Sequence, residues 1–215
     1  MNIGILGSGV VGQTLGSKLV QLGHNVMMGS RDGANPKAVI WARQEGQKAT
    51  FGSFADAAAF ADIIFNCTYG ASSLDALQQA GAENMKGKIL IDTSNPLDYT
   101  NEIWTLTVCN TDSLGEQIQR AFPNTHVVKT LNTMNSDVMV DPNKLAEMTS
   151  VFVSGNSADA KATVIKILHD WFGWRSIVDL GDITTSRGVE MYVVLWRNLR
   201  HATSSHRFNI KVVRS

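Results

Sequence analysis

Cysteine is scarce in this chain. Cys67 and Cys109 allow at most one bridge in 215 residues, and no CxxC or clustered histidine accompanies them, which excludes a spaced zinc site. Reduced thiols in a cytoplasmic protein are the expectation. Charge is also thin, at 18% of residues against 44% hydrophobic, a balance that excludes intrinsic disorder. Nineteen Lys and Arg offset nineteen Asp and Glu, so no overall field recruits nucleic acid or an anionic membrane, and any partner has to be recognised locally. No run approaches the ~18 consecutive apolar residues of a membrane span. The apolar start carries Gly4, Gly7 and Gly9 and leads into an amphipathic stretch instead of a cleavage site, unlike a signal peptide. Internal repeats and low-complexity linkers are missing too, so one domain over residues 1–215 is expected, with a core to about residue 135 and a C-terminal extension over 136–215.

Neutrality hides an asymmetry. Residues 187–215 carry Arg187, Arg197, Arg200, Arg207, Lys211 and Arg214 against Glu190 alone, so this tail is +5 and the remainder −5. It reads either as a solvated basic edge or as part of an anion site or subunit contact.

What the chain does have is alternation. Apolar runs of strand length alternate with stretches of helical period, the pattern of βα units stacked into a parallel sheet. The runs predict strands at Asn2–Gly7, His24–Gly29, Asp62–Thr68, Lys88–Asp92, His126–Thr130, Ser150–Ser154 and Arg175–Asp179, most of them continuous apolar runs, as expected of strands buried on both faces. Helices are expected after the first strand and over Pro36–Glu45, Ala71–Ala80, Ser113–Ala121, Ala158–Phe172 and Thr185–Leu199. The last of these carries Tyr192, Leu195, Trp196 and Leu199 near one face, suited either to core packing or to a dimer interface. A closing strand is expected over Phe208–Val213.

The sharpest chemical signal is Gly7-Ser8-Gly9-Val10-Val11-Gly12. A lone GxGxxG means little; here a strand precedes it, an amphipathic helix follows and a second strand completes a unit of about thirty residues. Gly7 permits the tight turn, Gly9 lets a pyrophosphate approach the backbone, and Gly12 allows close helix-to-strand packing. The helix N-terminus then offers amides and a positive dipole end to phosphate. The expected fold is therefore α/β, a Rossmann-type doubly wound, mostly parallel sheet with a small C-terminal α/β extension.

The end of the second strand selects the dinucleotide. An acidic residue there would accept the ribose 2′-hydroxyl of NAD, whereas this chain has Gly29-Ser30-Arg31. Ser30 can donate to a 2′-phosphate and Arg31 can pair with it, which favours NADP(H). Asp32 is the contrary feature, and Lys37 is a candidate second phosphate contact. Further strand ends are polar or turn-forming: Thr68-Tyr69-Gly70, Thr93-Ser94-Asn95-Pro96 and Lys129 to Asn135. Asn95 before Pro96 is held extended. No GxSxG, no pair of carboxylates spaced for acid–base work and no histidine cluster is present, so no side chain is assigned a catalytic role and no metal is expected. Hydride transfer between bound cofactors fits that absence, since it depends on positioning and exclusion of water.

Taken together, Ile3-Gly4-Ile5-Leu6-Gly7-Ser8-Gly9, Gly29-Ser30-Arg31, Ile91 to Pro96, Val127 to Asn132 and Asp179-Leu180-Gly181-Asp182 resemble the coenzyme F420-dependent NADP oxidoreductases over nearly the whole chain. They also resemble the cytoplasmic oxidoreductase domain of the six-transmembrane metalloreductases, to which Ser94-Asn95-Pro96 and Lys129 to Asn132 are the more similar. The resemblance implies NADP(H) across the strand ends and hydride exchange with a flavin or deazaflavin, coenzyme F420 or a free flavin. It implies Ser8 to Val11 at the pyrophosphate, Ser30 and Arg31 at the 2′-phosphate, and Thr68, Tyr69, Asn95 and Asn132 around ribose and nicotinamide. A homodimer is implied as well. The alternative is a non-catalytic NADP-binding sensor that holds a partner through its basic tail and apolar last helix.

Overall fold

All seven strands expected from the apolar runs form, and so do the six helices between and after them. The computed structural model describes residues 1–100 and 104–214. Its first half runs β1 (Asn2–Leu6), α1 (Val10–Gln21), β2 (Asn25–Ser30), α2 (Pro36–Glu45), β3 (Ala49–Ser53), α3 (Phe54–Phe60), β4 (Ile63–Asn66), α4 (Ser73–Ala80), α5 (Ala82–Met85) and β5 (Ile89–Asp92). There follow β6 (Leu97–Asp98), β7 (Thr105–Leu106), α6 (Leu114–Ala121), β8 (His126–Thr130), α7 (Ser136–Met139), β9 (Ser150–Gly155), α8 (Ala158–Asp170), β10 (Ser176–Gly181) and α9 (Ser186–Thr203).

Eight strands form one sheet in the order β10-β9-β8-β5-β4-β1-β2-β3. The six from β3 to β8 are parallel, and the order reverses between β1 and β4, the place where a doubly wound sheet opens its binding crevice. β9 joins β8 antiparallel, and β10 follows β9 in parallel, so the C-terminal extension continues the same sheet. Each face carries its own apolar layer. One holds Ile3, Ile5, Leu15, Trp41, Phe65, Val128 and Trp174; the other holds Leu6, Ala57, Ile64, Leu77, Leu90 and Ile118.

The structure adds elements and corrects one. Between α2 and β4 it inserts β3 and α3, and between β5 and α6 it inserts the small antiparallel hairpin β6–β7. The strand expected over Phe208–Val213 does not form. That segment lies beside β9, where the Ser150 amide donates to the Ile210 carbonyl at 2.9 Å and the Asn209 side chain donates to the Ser150 carbonyl at 2.9 Å. One backbone bond and side-chain tethers hold it, too few for a ladder.

In α9, Val189 and Val193 are buried in the fold while Met191 and Leu195 remain exposed. Trp196 stacks on Phe208 with centroids 5.5 Å apart.

Candidate functional site

The glycine loop does what its spacing requires. Gly7 has φ +115°, and a Cβ there would lie 2.6 Å from the Cys67 carbonyl oxygen at the end of β4. At Gly12 a Cβ would fall 2.0 Å from the Gly7 carbonyl oxygen, so α1 presses on the loop only because both are glycine. Gly9 is the N-cap of α1; it brings no capping side chain, and the first turn contains no acidic residue. A Cβ at Gly9 would meet nothing within 4 Å. Unsatisfied amides therefore face open space at the positive end of a twelve-residue helix. Gly7, Ser8, Gly9, Arg31, Thr68 and Tyr69 all border one cleft of about 290 Å³.

The end of β2 settles which side chain faces that cleft. Ser30 is only 4% exposed; its hydroxyl donates to Asp32 Oδ1 at 3.2 Å and accepts from the Asn35 amide at 3.4 Å. Ser30 is thus turned into the loop, and Asp32 is occupied by it. Arg31 is exposed and lines the cleft beside Phe54. Lys37 is exposed on the first turn of α2, outside the residues that line the cleft. Asn35, which the sequence reading passed over, ties the two loops together: its Oδ1 accepts from the Lys37 amide at 3.0 Å and from the Ser8 hydroxyl at 3.3 Å. Asn-Pro at the start of an apolar-periodic stretch is the capping signal that could have found it.

Beneath the remaining rim lies a buried polar row. Asn66 and Asp92 end β4 and β5, and Lys129, the penultimate residue of β8, stands at the same register level; all three are fully buried. Asn66 Nδ2 donates to Asp92 Oδ1 at 2.9 Å and to the Ser73 hydroxyl at 3.1 Å. Lys129 Nζ lies 2.6 Å from Asp92 Oδ2 and 2.8 Å from Glu190 Oε1, and donates to the Ser94 carbonyl at 2.8 Å. Glu190, on α9, also accepts from the amides of Leu114 and Gly115 at 2.8 and 2.9 Å, capping α6 from a distance. Burial alone would lower the Lys129 pKa, but the two carboxylates more than offset it and hold it above its ordinary value.

This row fixes the side chains above it. The Thr68 hydroxyl donates to Asn66 Oδ1 and shares a 2.6 Å hydrogen bond with Ser73. Asn95 and Asn132 form a reciprocal pair: Asn95 Nδ2 donates to the Asn132 carbonyl at 2.8 Å, and Asn132 Nδ2 donates to Asn95 Oδ1 at 2.9 Å and to the Val189 carbonyl at 3.1 Å. Leu131, with φ 62°, takes the left-handed conformation that turns the chain into this pair, an unusual state for leucine. Next to it the buried Thr133 hydroxyl has no hydrogen-bond partner among the described residues. Tyr69 is half-exposed, and its hydroxyl donates to the Leu97 carbonyl at 2.8 Å.

The thiol that borders the cleft is not activated. Burial pushes the Cys67 thiol up to about 12, so it stays protonated at neutral pH. Both cysteines are free thiols. Among the described residues no group of His, Cys, Asp and Glu could hold a metal ion, and no helix is long and apolar enough to cross a membrane.

Residues 2–96 match the family profile described as NADP oxidoreductase, coenzyme F420-dependent. A protein of known structure from Arthrobacter sp. FB24, provisionally named an F420-dependent NADP-reductase, is 48% identical over 99% of both chains and superposes with a TM-score of 0.94. Metalloreductase STEAP3 of Rattus norvegicus is 29% identical over 194 residues, 87% of this chain and 35% of the relative, so the chain spans about a third of that protein's length. A reductive aminase from Aspergillus terreus, solved with NADPH and ethyl-5-oxohexanoate, shares 17% identity, with a TM-score of 0.66 over 94% of this chain and 62% of its own; this is a likeness of fold. With near-complete coverage of the Arthrobacter protein at that identity, the chain belongs to the coenzyme F420-dependent NADP oxidoreductase family.

Proposed function

We propose that this oxidoreductase binds NADPH along the ends of β1, β2, β4, β5 and β8 and passes its hydride to a flavin-like acceptor, coenzyme F420 or a free flavin. The observation that carries the reading is the pairing of an uncapped, unobstructed α1 N-terminus with Arg31 on the same cleft. The amides of Val10 to Gly12 and the Ser8 backbone suit a pyrophosphate. Arg31 suits the 2′-phosphate, while Ser30 serves it indirectly by holding Asp32 away from a ribose hydroxyl. Lys37 is kept as a long-range charge contribution from α2.

NADPH supplies two electrons with one hydrogen as hydride; the acceptor takes that hydride and one proton from water, leaving NADP⁺. The chain's own part is placement. The locked Asn95–Asn132 pair spends its amide donors internally and so presents a rigid wall for the nicotinamide. Tyr69 and Thr68, which line the same cleft, suit the ribose side. Positioning of this kind is the contribution a hydride transfer needs from its protein. The exposed Met191–Leu195 side of α9 is taken as a homodimer face, for which mass in solution is the check.

The test is NADPH oxidation by purified protein with F420, FMN, FAD and simple quinones at saturating concentration. Turnover with F420 or a flavin is expected; no turnover with any of them sinks the reading.

A further inference from the structure

We propose that a basic cleft at the C-terminal end of α9 takes the anionic tail of the hydride acceptor, so that the enzyme prefers acceptors bearing a phosphate or carboxylate over the same ring without one. The proposal rests on the flavin-like acceptor reading and specifies where that molecule's far end binds.

The cleft has a volume of about 370 Å³, and its described lining includes Trp104, Arg197, Arg200, His201 and His206. Most other cations of the basic tail are used up inside the fold: Arg187 pairs with Glu116 at 2.5 Å, Arg207 with Asp137 at 2.6 Å and Lys211 with Glu147 at 2.9 Å. Arg200 is different. Its guanidinium lies over the Trp196 ring at 6.0 Å, and no carboxylate among the described residues comes within ion-pair distance of it. A guanidinium held through its face keeps its in-plane N–H donors for a ligand. Compensation of the helix dipole would account for Arg200 and His201, both in the last turn of α9. It does not account for Trp104 and His206, which come from β6–β7 and the tail to close the same cleft.

A row of rings joins this cleft to the dinucleotide site. Tyr69, which borders the cofactor cleft, stacks on Tyr99 at 5.3 Å. Tyr99 meets the Trp104 edge at 4.8 Å, and Arg197 sits over Trp104 at 5.1 Å. The hairpin carrying Tyr99 and Trp104 begins directly after Asn95-Pro96. A planar acceptor seated beside Asn95 therefore has an aromatic surface along its length and a cationic end to that surface, the layout that suits a ring with an anionic tail.

The experiment compares riboflavin, which is uncharged, with FMN, which differs by a phosphate, in the presence of saturating NADP⁺ or NADPH. Two readouts are taken: quenching of flavin fluorescence on binding, and KM and kcat in NADPH oxidation. Wild type is expected to bind FMN more tightly than riboflavin, with the gap closing at high salt. Arg200→Gln, an exposed position, is expected to raise the FMN Kd and KM about tenfold, as for a lost hydrogen bond to a charged group, leaving kcat and the riboflavin values unchanged. Equal affinity for the two flavins in wild type, or equal loss for both in Arg200→Gln, overturns the proposal. An FMN preference in binding without turnover keeps this inference and defeats the hydride-transfer reading instead.

Discussion

A lysine with no accessible surface is costly unless its charge is answered, and Lys129 is answered twice, by Asp92 and Glu190. Lys129→Met leaves two buried carboxylates without their cation and should lower unfolding free energy by about 3–5 kcal/mol, read from urea denaturation at neutral pH. Because the folded pKa of Lys129 is raised above 10.5, its stabilisation is complete below that value and is lost as pH rises through the folded value. Wild type should therefore weaken at strongly alkaline pH more steeply than Lys129→Met does. At the cofactor, Arg31→Ala should weaken NADP binding by about 1.5–3 kcal/mol, as when a charged group loses its hydrogen-bonded partner, and leave NAD binding nearly unchanged. Calorimetry with the two dinucleotides checks it, and equal losses would refute the assignment of Arg31 to the 2′-phosphate. Arg31 was legible because its place after the second strand fixes its neighbourhood. The inward turn of Ser30 was not, since it depends on Asn35 arriving from the next helix. Nor was the Lys129–Glu190 pair, whose members meet only once α9 packs across the sheet.

At the level of elements, long apolar runs were readable and short or half-exposed pieces were not. β3 is an edge strand with one of its five residues buried, so it lacks the apolar run by which the interior strands were found. α3 spans only seven residues, under two turns. Its start was written in the sequence all the same: Ser53 accepts from the Asp56 amide, and the Asp56 side chain accepts from the Ser53 amide at 2.9 Å, a capping box. Ser53→Ala should cost about 1 kcal/mol. The measurement is the urea midpoint, with an unchanged slope showing that both end states keep their extent. A shift of the midpoint no larger than its error would show that α3 is held by Ala57 and Ala58 in the core and not by its cap. The β6–β7 hairpin went unread for a similar reason, as two-residue strands carry no period.

For the whole molecule, alternation of strand and helix predicted the doubly wound sheet, because each strand buried on both faces announces itself locally. It could not predict how the last eighty residues attach, since attachment is made by distant pairs. β9 and β10 extend the sheet beyond β8, Glu190 closes on Lys129 and caps α6, and the basic tail is stitched back through Arg207–Asp137 and Lys211–Glu147. The +5 tail and −5 remainder of the sequence are thus partly neutralised by direct contact. These connections argue that residues 1–135 and 136–215 are one cooperative unit. Tryptophan fluorescence reports mainly the C-terminal part, through Trp171, Trp174 and Trp196, with Trp41 and Trp104 in the N-terminal part, whereas far-ultraviolet dichroism reports the helices throughout. The two denaturation curves should coincide, as two-state unfolding requires, and a fragment of residues 1–135 should neither fold cooperatively nor bind NADP. Separated transitions, or a fragment that binds the dinucleotide with full affinity, would show instead that the sheet from β3 to β8 stands alone and that its C-terminal strands and helix are an addition.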